Sequence, residues 1–138
     1  MGGGDDRGSI LFVLNTIISN IGDYKINLLI GDNPRYKHIK DWTSKKNLNK
    51  KIKILKNKKN IVKYIDESHF AICSGGTITH EINSRGKRMI ILSLVKNQEL
   101  QGEKWKNFNN YYLGLFNKAN LVTIKYKYVV NFDFWFQF

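Results

Sequence analysis

The chain of 138 residues has one cysteine, Cys73, and one proline, Pro34. A single thiol closes no internal disulfide and offers no cluster of thiolate ligands, which excludes a disulfide scaffold and a cysteine-rich zinc site. It also favours a reducing compartment, so the expected location is the cytoplasm. No apolar run reaches the ~18–20 residues that span a bilayer. The opening MGGGDDRG has no basic segment followed by an apolar one, so no secretory signal is expected either. Proline- and serine-rich linkers are missing as well, and the length suits one domain. With 42% apolar and 25% charged residues, wholesale disorder is excluded.

Acids are scarce: 11 Asp and Glu stand against 23 Lys and Arg, giving a formal charge of +12. Eleven of the lysines lie between Lys37 and Lys63, facing one acid, Asp41. Such a run can bind nucleic acid or an anionic surface through counterion release. Lysine far outnumbers arginine, however, whereas base and phosphate recognition favours arginine's bidentate fork. Lys, Asn and Ile are abundant along the whole chain, so the run reads first as a solvated face in a composition-biased sequence. Nucleic acid is therefore the disfavoured partner.

What is present is an alternation of short apolar runs with helical segments. Residues 9–20 read as a helix with Leu11, Leu14, Ile17 and Ile18 on its apolar side. Strands are expected at 25–30, 51–55, 69–74 and 88–94, and further helices at 35–44, 60–67, 77–86 and 98–109. Strands so continuously apolar suit a parallel sheet covered on both faces. The expected fold is α/β, a Rossmann-like, mostly parallel sheet with helices on both sides. Its first strand is expected to be truncated, because only Met1 precedes the glycine-rich GGGD entering the first helix. Residues 1–120 would form this domain. Residues 121–138 form an aromatic tail in which Ile124, Tyr126, Tyr128, Val130, Phe132, Phe134, Phe136 and Phe138 share a two-residue period, the mark of a strand or hairpin. That tail is a candidate to fill the vacant sheet position, which a second chain would otherwise fill.

In open α/β sheets, ligands bind beyond the carboxyl ends of the strands. Gly2, Gly3 and Gly4 form one turn into a helix there, and Gly75, Gly76 and Thr77 form another. Lacking Cβ atoms, such turns bring several N–H donors and a helix start to an anion, so a phosphate or diphosphate is the natural guest. The alternative for Gly75 and Gly76 is a tight strand-to-helix turn and nothing more. Glu81 follows one helical turn later, where its carboxylate can accept hydrogen bonds from vicinal ribose hydroxyls or pair with Arg85 at i+4. Sharper motifs fail: the dinucleotide fingerprint lacks its third glycine, no phosphate-binding G-x-x-x-x-G-K-[ST] occurs, and His80-Glu81 lacks a second histidine. His38, His69 and His80 are scattered, so no metal site is expected. Cys73, inside an apolar strand, reads as a core residue. Trp42 and Trp105 read as partly buried helix anchors.

GGGD before a helix, followed by AICSGGTITHEINSRGKRMIILSLVKNQE, resembles the carboxy-terminal half of GT-B-type sugar-nucleotide enzymes. The nearest likeness is to the UDP-sugar hydrolase of pseudaminic acid synthesis and its spore-coat polysaccharide relatives, and more distantly to family 28 glycosyltransferases. Ala71, Ser74, Gly75, Gly76, Thr77, Glu81, Gly86, Asn97 and Gln98 fall on the pattern; the likeness spans residues 1–116 and is specific in 71–99. The resemblance implies a domain that holds the UDP part of a UDP-sugar and needs no further cofactor. Gly2, Gly3, Gly4, Gly75, Gly76 and Thr77 would take the diphosphate and Glu81 the ribose. Leu55 and Lys56 would lie near the uracil. Asn97 and Gln98 would reach the sugar or its phosphate, with Asn97 supporting catalysis.

Lys87-Arg88 departs from the family, which usually has a proline nearby. The family's amino-terminal half, with the histidine thought to activate water, has no counterpart here, and the aromatic tail does not resemble the family's closing helices. The expected role is half of a UDP-sugar hydrolase or glycosyltransferase in cell-surface glycan synthesis of the nonulosonic acid type. It would be inactive alone and completed by an amino-terminal domain supplied from another chain. The rivals are an anionic-surface or nucleic-acid module built on lysines 37–63 and an interaction fragment using the aromatic tail.

Overall fold

The computed structural model describes residues 7–18, 25–57, 59–116 and 134–137, the last four as backbone. The glycines at 2–4 and residues 117–133 of the tail lie outside the described residues. Helix α1 (Ser9–Ile18) opens the described chain, followed by β1 (Ile26–Ile30), α2 (Tyr36–Lys45), β2 (Ile52–Lys56) and α3 (Val62–Glu67). Then come β3 (Phe70–Ser74), α4 (Ile78–Ser84), β4 (Arg88–Ser93), α5 (Glu99–Trp105), β5 (Tyr111–Leu115) and β6 (Phe134–Gln137). Single 3-10 turns flank α5 at Lys96–Gln98 and Lys106–Phe108.

The strands form one parallel sheet in the order β2-β1-β6-β3-β4-β5. Its register pairs Ile26 with Ile52 and Phe70 with Arg88 at the amino ends of their strands. Among the described residues, the β2-β1 pair and the β3-β4-β5 trio are joined by strand pairing only through β6, which pairs Asn27 with Trp135 on one side and Phe70 with Phe134 on the other. The boundary drawn at residue 120 thus separates stretches of sequence, while the last strand of the tail belongs to the sheet.

Alternation along each strand sorts its side chains between two cores. On one face Ile26, Leu28, Ile30, Ile52, Phe70, Ile72, Ile90 and Leu92 meet α1 and Ile39 of α2. Ile10, Val13, Leu14 and Ile17 of α1 recur at the i, i+3, i+4, i+7 spacing of a helix stripe, and all are buried. On the other face Leu29, Leu55, Ala71, Cys73, Met89 and Ile91 meet Ile65 of α3, Ile82 of α4 and Trp105 of α5. Helices therefore cover both faces of the sheet, as the apolar strands required. Trp42 is half-buried against the first core and Trp105 is buried in the second. Cys73 is fully buried, and burial pushes its thiol pKa up, as for an inert core residue.

The sequence reading needs two corrections. The helix expected over 98–109 is shorter, with a turn before and after α5, because Asn109 takes a left-handed conformation at φ 61° and stops it. Asn110 then turns the chain: its side-chain oxygen accepts from the Met89 N–H at 2.9 Å, and its amide donates to the Trp105 carbonyl at 3.2 Å. Residues Tyr111–Leu115, given no element from sequence, form the edge strand β5 beside β4. Among the described residues no helix is long and apolar enough to cross a membrane.

Candidate functional site

The strand order reverses around β6: the connection from β1 leads outward to β2, while β3, β4 and β5 step outward on the opposite side. The carboxyl ends of β1 and β3, either side of this switch, are the position where open α/β sheets take ligands. The loop after β1, residues 31–35, and the turn after β3, residues 75–77, flank it.

At the first loop the Asn33 side-chain oxygen accepts the Arg35 backbone N–H at 2.7 Å, and the Asn33 carbonyl accepts from Tyr36 at 3.1 Å. This short-range turn fixes the entry into α2, with Pro34 needing no donor there. The Asn57 amide donates to Asp32 at 2.7 Å, and the Asn57 N–H reaches the Ile30 carbonyl at 2.9 Å, so the ends of β1 and β2 are tied together. The Lys56 ammonium stands 4.8 Å from the centroid of the Tyr36 ring. Leu55 points into the core, so Lys56 alone of the expected uracil pair presents its side chain at the edge. A guanidinium nitrogen of Arg35 lies 3.8 Å from where a Cβ on Gly8 would stand, which brings the start of α1 to this edge. Ser9, the first residue of α1, is fully buried and its hydroxyl has no hydrogen-bond partner.

The second turn is braced from three directions. The Gly76 carbonyl accepts from Thr79 Oγ1 at 2.8 Å and from Gln101 Nε2 at 3.2 Å, and the same Gln101 amide donates to Thr79 Oγ1 at 2.7 Å. Gln98 supports the turn from the 3-10 segment that follows β4: its side-chain oxygen accepts the Leu94 N–H at 2.9 Å, and its backbone packs on Gly75. Thr77 is exposed and makes no side-chain capping bond to α4. Glu81 stands in the first turn of α4, half-buried. Arg85 does not pair with it; the guanidinium forms a two-pronged ion pair with Asp66 instead. Glu81 therefore has no ion-pair partner among the described residues. Asn97 is exposed at the start of the turn before α5.

The structure thus brings Gly75, Gly76, Thr77, Glu81, Asn97 and Gln98 to neighbouring positions, with Lys56 on the far side of the switch. Gly2, Gly3 and Gly4 lie outside the described residues. Gln101 and Arg35 are additions. Arg35 follows a strand-ending Gly-Asp-Asn-Pro turn, a signal legible in sequence, whereas nothing around Gln101 announces a bond to a carbonyl 25 residues earlier. No group of three or more His, Cys, Asp or Glu able to hold a metal ion occurs among the described residues. Chemically, the edge offers backbone donors, a hydroxyl, two cations and one unpaired carboxylate, a set suited to binding a polyhydroxylated anion. No protein-family model, curated protein or solved structure matches the chain.

Proposed function

We propose that this chain holds the UDP moiety of a UDP-sugar at the carboxyl edge of its sheet, as the nucleotide-binding half of a cytoplasmic hydrolase or glycosyltransferase of cell-surface glycan synthesis. The observation that carries this reading is the braced turn at Gly75, Gly76 and Thr77 beside the strand-order switch, with the unpaired Glu81 one helical turn further on. Backbone N–H groups at that turn would bind the diphosphate, helped by Arg35 and Lys56. Glu81 would accept from the two ribose hydroxyls, and Asn97 and Gln98 would face the sugar. Groups on the other side of the scissile bond, including whatever activates water or an acceptor hydroxyl, would come from a second domain. Catalysis needs both sides positioned, so the chain alone would bind without turnover.

The test is an amide NMR titration of the full chain with UDP. Shifts confined to residues 75–81, 97–98 and the 31–35 loop support the reading. Replacing Glu81 by glutamine should weaken UDP by about tenfold, the scale of one charge-assisted hydrogen bond. A dispersed spectrum indifferent to millimolar UDP would sink it.

A further inference from the structure

A groove of about 570 Å³ opens between α4 and α5, and nothing in the nucleotide reading uses its far wall. Its apolar side is a run of rings. His80 meets Trp105 edge-on with centroids 5.1 Å apart, and Trp105 meets Phe108 edge-on at 5.3 Å. Leu100 and Phe108, both lining the groove, are the most exposed large apolar side chains among the described residues, at 69% and 62%. Apolar surface gathered at one concave place is the mark of a binding site more than of scatter. Trp105 is nine-tenths buried, and its indole N–H meets no acceptor.

The polar lining has one sign. Lys104 brings an ammonium with no ion-pair partner among the described residues, and no carboxylate lines the groove. Asn83 and Asn97 add two amides that make no side-chain hydrogen bond to the described residues. The volume lies in the range of small-molecule pockets, about 300–1,000 Å³. Flat rings lining the same groove as a cation and amide donors complement a flat apolar body ending in an anion.

We infer that the groove between α4 and α5 binds a small aromatic carboxylate, its ring against Trp105 and Phe108 and its anionic end at Lys104, oriented by Asn83 and Asn97. The groove shares Asn97 with the nucleotide reading, while Asn83, Lys104, Trp105 and Phe108 take no part in that reading.

Three probes of one shape and different charge test it on the full chain by amide NMR: 2-naphthoate, 2-naphthalenemethanol and 2-naphthylmethylammonium. The expected result is that naphthoate shifts residues 80–83 and 97–108 and binds most tightly, with the ammonium probe weakest. Lys104→Gln should weaken naphthoate about three- to fivefold, as for an exposed ion pair, and leave the alcohol unchanged. Phe108→Ser, at an exposed position that leaves the fold intact, should weaken all three. Equal affinity for the three probes, shifts scattered outside the groove, or no shift with millimolar naphthoate would each overturn the proposal. So would groove shifts produced by raising protein concentration alone, since the occupant would then be a second copy. UDP is expected to shift 75–81, 97–98 and the 31–35 loop, so the two sites are read separately on the residues they do not share: 75–79 and 31–35 for UDP, 82–83 and 99–108 for naphthoate.

Discussion

At Gly75 an added methyl would place its carbon 2.9 Å from the Gln98 carbonyl oxygen and 3.2 Å from Ser93 Oγ, both on the strand and turn next door. At Gly76 the nearest atoms would be 3.8 and 3.9 Å away, an ordinary contact. The two glycines of one motif thus separate packing from ligand approach. Gly75→Ala should lower stability by about 1–3 kcal/mol, the cost of overpacking, seen as a fall in the thermal midpoint. Gly76→Ala should keep the midpoint and lose UDP affinity, because the new Cβ would stand where a phosphate approaches the backbone. The reverse pattern would assign the motif to architecture alone. From sequence the pair was legible as a tight turn into a helix. The reason for Gly75 was not, since it lies in Gln98, 23 residues away, and in a serine of another strand. The same holds for Gly102, where a Cβ would run into the Tyr112 ring. That ring belongs to β5, and its hydroxyl donates to Ser93 at 3.0 Å, while burial raises its pKa.

Between elements, α3 and α4 are joined by Asp66 and Arg85, with the Lys87 ammonium donating to the Asp66 carbonyl at 2.7 Å. The hydrogen-bonded Arg85 guanidinium holds the Asp66 carboxyl below its ordinary value of 3.8, with Lys87 adding to the effect. A carboxyl pKa depressed on folding contributes stability that is present above the unfolded value and lost as pH falls through the folded one. The thermal midpoints of the parent chain and Asp66→Asn should therefore differ slightly at neutral pH and converge below that value. Because the pair is exposed, added salt should narrow the gap too. A gap that persisted in acid would mean the two helices are held by something else. The elements themselves were largely legible: strands buried on both faces read as unbroken apolar runs, and α1 carries a helix-period stripe. β5 was not, because Tyr111–Leu115 lies half-buried at an edge, and its start is set by Asn110, whose bonds reach Met89 and Trp105. The candidate site was legible where it is local, at 75–81 and 97–98; its braces from α5 are tertiary.

For the molecule as a whole, ten of the eleven lysines between 37 and 63 are exposed, and the remaining one, Lys58, is outside the described residues. Lys53 and Lys56 lie on β2, an outer strand of the sheet, where charge keeps a free edge from pairing with another chain. This gives the lysines of that strand an architectural task that requires no nucleic acid. In the middle of the sheet, β6 is the one strand among the described residues that pairs with both parts. Phe136→Pro removes a backbone donor there and leaves its partner unpaired, which should cost about 1–3 kcal/mol. Hydrogen exchange should show β1 and β3 losing protection on the sides that faced β6, while the β3–β4 ladder keeps its own; uniform loss would mean the sheet opens as one unit. That the aromatic tail could fill the vacant sheet position was legible in the sequence, and β6 stands there between β1 and β3; which of its residues pair was not legible. That placement also shapes how the chain finds its fold. The β1–β2 and β3–β4 ladders close over short stretches, whereas Asn27 meets Trp135 across more than a hundred positions, so the joining strand pays its loop-closure entropy late. In stopped-flow experiments, destabilising β6 should then speed unfolding far more than it slows refolding. Until β6 arrives, two half-sheets with open inner edges coexist, and at high concentration their simplest error is to pair with each other's neighbours.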